Sequence, residues 1–554
     1  MLMNESAFKT LVGVQGTVMG WDDPWHYEQC RAMFRTGERK YFPSQDPRPS
    51  PEQFIRFIQA LGVDFYLHQV APDEKEIDKF IDSIQQFHIS FLIGNEYGAI
   101  NGPYTDGTNR YDVPACSVEK AKQTGKLLGL VYDETEHLQL HPFMYSKEPI
   151  DVSCRKECDH QWTATRGKQL QQLEDDTAAA VQARVKAYGD HVDVYSEQVF
   201  PVLYHVLARG GMNPCPKVLK EEFQSLQLAS ALGAAKQYKR KMGICVDLWG
   251  PDVGKWFTRL WGFPGHSPQE YKSALEMAYL MGPDLMYTEN IDPLAVYNGQ
   301  NFQKTEFGEV FEEFIKKFIP CHPRFYNHSM IQPDIVVIRS DDGVISDDGN
   351  FYGRGLYGSL TLMSDHRTQS VFDVFYLVSH GTIPHNGVTF FLPQFQFPIG
   401  EYERNADTIK QLPLVDGVTR EDQKYIHKLF YPMNNVAVFD ERVDSQTLGK
   451  PKLILLAGSR MTDQCLKLVS EKVNDGSVCI AASWLVPDFI KSGKDGAGKW
   501  LIVEDFRNDA VWDAAAPFLG RKDCWLQKFG EYEVRFYNPK GDGITLTHEV
   551  RKIG

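Results

Sequence analysis

The chain has 554 residues, too many for one hydrophobic core, so two or three domains are expected. Hydrophobic content of 42% with 24% charged residues suits a globular protein, and no apolar run approaches the ~20 residues that span a bilayer. With 59 basic and 73 acidic residues the net charge is −14, which argues against nucleic acid as a partner and disfavours a polyanionic substrate.

The opening residues, MLMNESAFKTLVGVQG, lack a basic stretch followed by an apolar core. They do not read as a signal peptide, so a cytoplasmic location is the default and a trimmed periplasmic or secreted form the alternative. Residues 10–15 (TLVGVQ) are a first short buried strand, running into Trp21, Trp25 and His26. Ser50-Pro51-Glu52-Gln53 is a capping box with proline at the first helical position, and Phe54, Ile55, Ile58 and Leu61 form one apolar face behind it. Residues 63–70 are a second strand, 74–87 a helix, and 89–93 a third strand ending in Gly94-Asn95-Glu96-Tyr97. A short helix at 117–125 precedes the fourth strand, 127–132, which breaks abruptly into Asp133, Glu134, Thr135, Glu136 and His137. Strand, polar end, helix and next strand thus recur four times, the pattern of parallel strands with helical crossovers.

Residues 142–211 read as a long insertion with helices near 170–188 and 197–209. Within it Cys154 and Cys158, with His160, resemble a metal-ligand cluster. No second cysteine pair stands at zinc-finger spacing, so no metal is assigned and a local disulfide or free thiols are expected. Residues 216–219 are the fifth strand, followed by Lys220, Glu221 and Glu222; 226–238 are a helix; 243–248 are the sixth strand, with Asp247 inside it and Trp249 after it. Ser267-Pro268-Gln269-Glu270 opens another helix, and 284–287 are the seventh strand, ending in Tyr287-Thr288-Glu289-Asn290. Three segments compete for the eighth: 295–298, 325–327 and 334–339.

From about residue 333 a second, smaller α/β unit with an open parallel sheet begins. Its strands are 334–339, 388–392, 452–457 and 478–481, and a helix covers 463–473. Beyond residue 500 the tail looks β-rich, with 532–537 alternating like a strand. The expected plan is a (β/α)8 barrel over 1–330, an open α/β domain over 331–500 and a β-rich region over 501–554.

The carboxylates cluster at strand ends: Glu96, then Asp133, Glu134 and Glu136, then Glu221 and Glu222, then Asp247, then Glu289. In an α/β barrel those ends carry the active site. Trp21, Trp25, Tyr97, Tyr132, Trp249 and Tyr287 stand near them. Flat apolar faces stack on sugar rings, and glycosidic cleavage needs one protonated carboxyl and one carboxylate with separated pKa values. A lone carboxylate at a strand end is more often solvated or salt-bridged than catalytic; recurrence at successive ends reverses that for the set.

This plan resembles the clan A (β/α)8 glycoside hydrolases, whose acid/base glutamate follows the fourth strand and whose nucleophile follows the seventh. The resemblance implies Glu134 as acid/base and Glu289 as nucleophile, without metal or cofactor. Glu136, Glu222 and Glu96 are rivals. Asn usually precedes the acid/base in that clan; Asp133 stands there in this chain. Trp21, Trp25, His26, Asn95, Glu96, Tyr97, Asp133, His137, Glu222, Asp247, Trp249, Tyr287 and Asn290 would contact a carbohydrate. Residues 333–500 resemble the class I glutamine amidotransferase-like domain that follows the barrel in some β-galactosidases. The turn matching the amidotransferase nucleophile is Gly458-Ser459-Arg460, without cysteine, and Cys479 lies inside a strand. A structural or homo-oligomerising role is therefore the reading. Two alternatives remain for the whole: a metal-dependent barrel hydrolase using His26, His68, His137, Asp247 and Glu289, or a catalytically silent carbohydrate-binding protein.

Overall fold

The computed structural model describes residues 6–17, 21–25, 48–69, 74–94, 112–136, 162–163, 168–199, 201–219, 224–248, 267–291, 293–340, 366–383 and 429–553. Eight parallel strands close into a barrel in chain order: β1 (Leu11–Gln15), β2 (Phe65–Gln69), β3 (Ser90–Gly94), β4 (Leu127–Tyr132), β5 (Val194–Gln198), β6 (Asn213–Val218), β7 (Gly243–Asp247) and β8 (Leu285–Glu289). Outside them lie α1 (Pro51–Leu61), α2 (Glu74–Ile84), α3 (Ala115–Gln123), α4 (Leu170–Ala187), α5 (Tyr204–Gly210), α6 (Gln224–Tyr238) and α7 (Pro268–Leu280). The capping box that opens α1 is present: Ser50 Oγ accepts the Gln53 N–H, and Gln53 Oε1 accepts the Ser50 N–H. Among the described residues no helix is long and apolar enough to cross a membrane.

The expected strand count is off by one. Residues 194–198, which the periodicity assigns partly to a helix in an insertion, are β5, and the helix starts only at Tyr204. Residues 170–210 are thus one full helix–strand–helix step of the barrel, while residues 142–161 of the expected insertion lie outside the described ones. The segment expected as the fifth strand is β6, the sixth is β7, and the seventh is β8, which pairs with β1 and closes the barrel. Of the segments weighed for an eighth strand, 295–298 overlaps β9 (Ala295–Tyr297), which pairs with β10 (Phe302–Lys304), while 325–327 lies in no strand. The third, 334–339, opens the second sheet.

That second sheet has the order β12-β11-β13-β14-β16-β15, from β11 (Ile335–Arg339), β12 (Val436–Asp440), β13 (Leu453–Leu456), β14 (Val478–Ala482), β15 (Gly493–Asp495) and β16 (Gly498–Val503). All its pairs are parallel except the short β15 edge. It is an open, doubly wound sheet whose last parallel strand passes through residue 500. The expected strand at 388–392 lies outside the described residues. The remainder forms a three-stranded antiparallel sheet, β17 (Cys524–Phe529), β18 (Tyr532–Tyr537) and β19 (Thr547–Lys552).

The two α/β units are locked together. Helix α6 lies against β12 so closely that a Cβ on Gly233 would sit 1.6 Å from the Val438 carbonyl oxygen. His205 Nε2 reaches that same oxygen at 3.0 Å, and Arg339 donates to the Pro201 carbonyl at 2.6 Å. The turn Gly458-Ser459-Arg460 takes part in this docking. Arg460 pairs with Glu174 of α4 at 2.6 Å and also with Glu441. The antiparallel sheet bridges both units, with Leu526 N–H on the Met433 carbonyl and Leu546 N–H on Ser273 Oγ of α7.

Candidate active site

Side chains alternate along a strand, so every second residue of a barrel strand points inward. The inward set at mid-height is apolar: Phe65, Leu67, Leu92, Val131, Tyr195, Cys215, Cys245, Leu285 and Tyr287 form one buried cluster. Gly13 leaves space for it, since a Cβ there would stand 2.3 Å from the Phe65 ring. Two residues further along β4 to β8, towards the carboxyl ends, the inward positions are Asp133, Glu197, Lys217, Asp247 and Glu289. The apolar layer thus becomes the floor beneath a charged ring.

Lys217 is the centre of that ring. Its ammonium lies 2.8 Å from Asp133 Oδ1, 3.0 Å from Glu197 Oε1, 3.5 Å from Asp247 Oδ2 and 2.8 Å from Glu289 Oε2, with Glu134 Oε1 at 3.6 Å. All four nearest carboxylates and Lys217 have side chains at most 1% exposed; Glu134, at 18%, is the one that meets the barrel mouth. Burial alone would depress the lysine. The surrounding carboxylates outweigh it and hold the ammonium well above its usual range. Glu197 moves the opposite way from an ordinary acid: burial first, then the Asp133 and Glu289 charges, push it well above the usual carboxylate range. The Tyr287 hydroxyl donates to its second oxygen.

The turn after β4 supplies the accessible carboxylate. Thr135 Oγ1 bonds back to the Tyr132 carbonyl, and the Thr135 N–H donates to the Glu197 carbonyl. Glu134 takes a left-handed conformation at φ 49°, which turns the chain off the strand. Glu136 is buried and accepts the Val199 N–H at 2.7 Å, so it braces the chain after β5. That is a structural task.

The other expected site residues scatter. Glu289 is here, but at the end of the eighth strand; the seventh ends in Asp247. Tyr287 lies in the floor and Asn290 accepts from Gln15 at 3.4 Å. Trp21 is 4% exposed, donates to the Ala295 carbonyl and packs on Phe54, Tyr297 and Phe302, so its ring is a core element. Trp25 packs edge-on against Phe54 and Phe80. His26, Asn95, Glu96, Tyr97, His137, Glu222 and Trp249 lie outside the described residues, as do Cys154, Cys158 and His160. Sequence reasoning missed Glu197, hidden in the misread strand, and gave Lys217 no role. The signal for both was their place two residues beyond an inward-facing residue, Tyr195 and Cys215.

Metal chemistry was the main alternative. Glu197, Cys245 and Glu289 bring ligand atoms within 4.8 Å of one another, close enough to hold an ion. The Lys217 ammonium already lies within 3.0 Å of both carboxylates and supplies the positive charge there. Burial also pushes the Cys245 thiol well above its usual range, against the thiolate that a metal needs. This trio therefore fits a metal poorly. His68 is not at the mouth. It lies on the outer face of β2, its ring stacked on Phe80 at 4.4 Å, and burial lowers its pKa from 6.5 to about 3.

A histidine held neutral in the fold but free to protonate when unfolded stabilises the fold above its unfolded pKa. That stability drains away as pH falls from about 6.5 towards 3. At pH 5 His68 alone should cost about 2 kcal/mol relative to pH 7, at ~1.36 kcal/mol per unit of displacement. Thermal melts of wild type and His68→Phe between pH 7 and 5 check this. The wild type should lose more stability on acidification than the variant; parallel losses would reject the assignment.

No family model matches the chain, and no curated protein matches it in sequence. Solved structures do match in fold. A beta-galactosidase from Bacillus circulans sp. alkalophilus superposes with a TM-score of 0.54 over 97% of this chain and 94% of that one, at 10% identity. A catalytic mutant of a GH42 beta-galactosidase from G. stearothermophilus gives 0.50 over 96% and 94%, at 8% identity. The shared feature is the whole architecture, barrel and following sheets together.

Proposed function

We propose that this chain is a retaining glycoside hydrolase acting on a carbohydrate, with Glu134 as proton donor and Glu289 as nucleophile. The observation that carries the reading is the ring of carboxylates at the carboxyl end of a closed (β/α)8 barrel, one of them accessible and the others buried round a cation. The fold likeness to two beta-galactosidases supports it. Glu134 Oε1 at 3.6 Å and Glu289 Oε2 at 2.8 Å share one nitrogen, which brings the two carboxyl groups to one site, as a two-carboxylate mechanism needs. Glu134 would protonate the leaving oxygen while Glu289 forms the glycosyl-enzyme bond. Water, activated by Glu134 as base, would then release the sugar. Burial that raises Glu197 favours its neutral form, which repels Glu289 less than a second carboxylate would.

A second reading concerns the nucleophile alone. Clan A enzymes, which the barrel resembles, carry it after the seventh strand, and that strand ends in Asp247 at 3.5 Å from Lys217. The second α/β unit we read as structural, because the turn that would hold an amidotransferase nucleophile is engaged with the barrel through Arg460.

The test is a panel of aryl glycosides, β-galactosides first, with the anomer of the first-released sugar followed by proton NMR. Turnover with retention is expected. Inversion would remove the covalent step, and no turnover on any glycoside would remove the hydrolase reading.

A further inference from the structure

Lys217 has no part in the two-carboxylate scheme just described, yet it is the best-connected side chain of the site. It stands on β6, two residues beyond Cys215 of the barrel floor, with its side chain 1% exposed. Every strand packed against it from β4 to β8 turns a titratable group towards the ring: Asp133 and Glu134 from β4, Glu197 from β5, Cys245 and Asp247 from β7, Tyr287 and Glu289 from β8. Cys215 is its neighbour on its own strand. The closest contacts are to Asp133 and Glu289, both at 2.8 Å, and the bond to Glu289 is a direct hydrogen bond. An ammonium so deeply buried is costly to desolvate, and the carboxylates packed round it offset that cost.

We propose that Lys217 is a positioning residue, a built-in cation that holds Glu289 ionised and aims its carboxylate for attack. The inference rests on the glycosidase reading and deepens it. The hydrogen bond fixes the Oε2 oxygen of Glu289 and with it the plane of the carboxylate. The ammonium also offsets the neighbouring Asp133 and Asp247 carboxylates, which would otherwise favour a proton on Glu289.

Lys217→Met removes the charge and keeps the chain length; Lys217→Arg keeps the charge. The measurement is the pH dependence of kcat/KM on an aryl glycoside with a good leaving group, where the acidic limb reports ionisation of the nucleophile. Without the cation the Glu289 carboxyl titrates higher, so the acidic limb of Lys217→Met should move up by about 1–3 pH units. Well below the limb its kcat/KM should fall about tenfold for each unit of that shift, while Lys217→Arg should keep the limb near its wild-type place. If Lys217→Met does not fold, the same comparison is made between Asp133→Asn and Asp133→Asn/Lys217→Met, where the ring carries one negative charge fewer. An acidic limb that stays put on loss of the lysine overturns the proposal. A wild type without glycosidase activity overturns the hydrolase reading first, and this one with it.

Discussion

Glu289→Gln should abolish turnover of every glycoside the wild type accepts, lowering kcat by on the order of 10⁵, the scale on which loss of a nucleophile acts. Asp247→Asn should cost far less, roughly tenfold to a hundredfold, through a weakened ring. The two variants therefore decide between the eighth-strand and seventh-strand carboxylate. Trapping with a 2-deoxy-2-fluoro glycoside and mapping the labelled peptide reads the same choice directly: the label belongs on the peptide containing Glu289. A label on Asp247, with Glu289→Gln still active, would transfer the role. Glu134→Gln carries a separate signature. Proton donation is worth ~10²–10⁴, so substrates with poor leaving groups should lose that much, whereas a dinitrophenyl glycoside should be cleaved almost as fast in its first step.

The second large effect is on stability. In an exposed helix, Gly→Ala gains about 1 kcal/mol of helix propensity. At Gly233 the sign should reverse, because the new Cβ would meet the Val438 carbonyl at 1.6 Å and a backbone atom cannot rotate away. Helix α6 or strand β12 has to withdraw, which loosens His205 and the hydrogen bonds of Gln237 and Tyr238 to Asp440. Gly233→Val should cost at least about 3 kcal/mol, at the upper end of overpacking penalties. Calorimetry would show it as a lowered transition, with the barrel and the second α/β unit melting apart. A variant as stable as wild type would mean that the two units are not held face to face here.

The first four barrel strands were legible because each is a short apolar run between helices with readable starts; the Ser50 capping box stands as written in the chain. Strand β5 was not. Val-Tyr-Ser-Glu-Gln has one aliphatic residue in five, and Glu197 to Arg209 has helical spacing, so periodicity favours a helix from residue 197, inside the strand. Losing that strand shifted every later number by one and sent the search for an eighth strand downstream. It also concealed Glu197 and placed Glu289 on the wrong strand, although its position at a strand end was right. Trp21 and Trp25 show the limit from the other side: an aromatic near a strand end reads the same whether it meets a sugar or, as Trp21 does, packs on Phe54 and Phe302. Register distinguishes them. The ring residues of β4 to β8 each stand two places beyond a floor residue, and that arithmetic needs every strand counted.

The apolar floor has a consequence for proton traffic. Phe65, Leu67, Leu92, Val131 and Leu285 of the floor carry no group that could pass a proton. A proton exchanging with Glu197 or Lys217 from the mouth passes Glu134, the ring carboxylate with an exposed edge. A sugar seated over Glu134 would narrow that route. The amine hydrogens of Lys217 should consequently exchange with bulk water more slowly in the covalent glycosyl-enzyme than in the free protein.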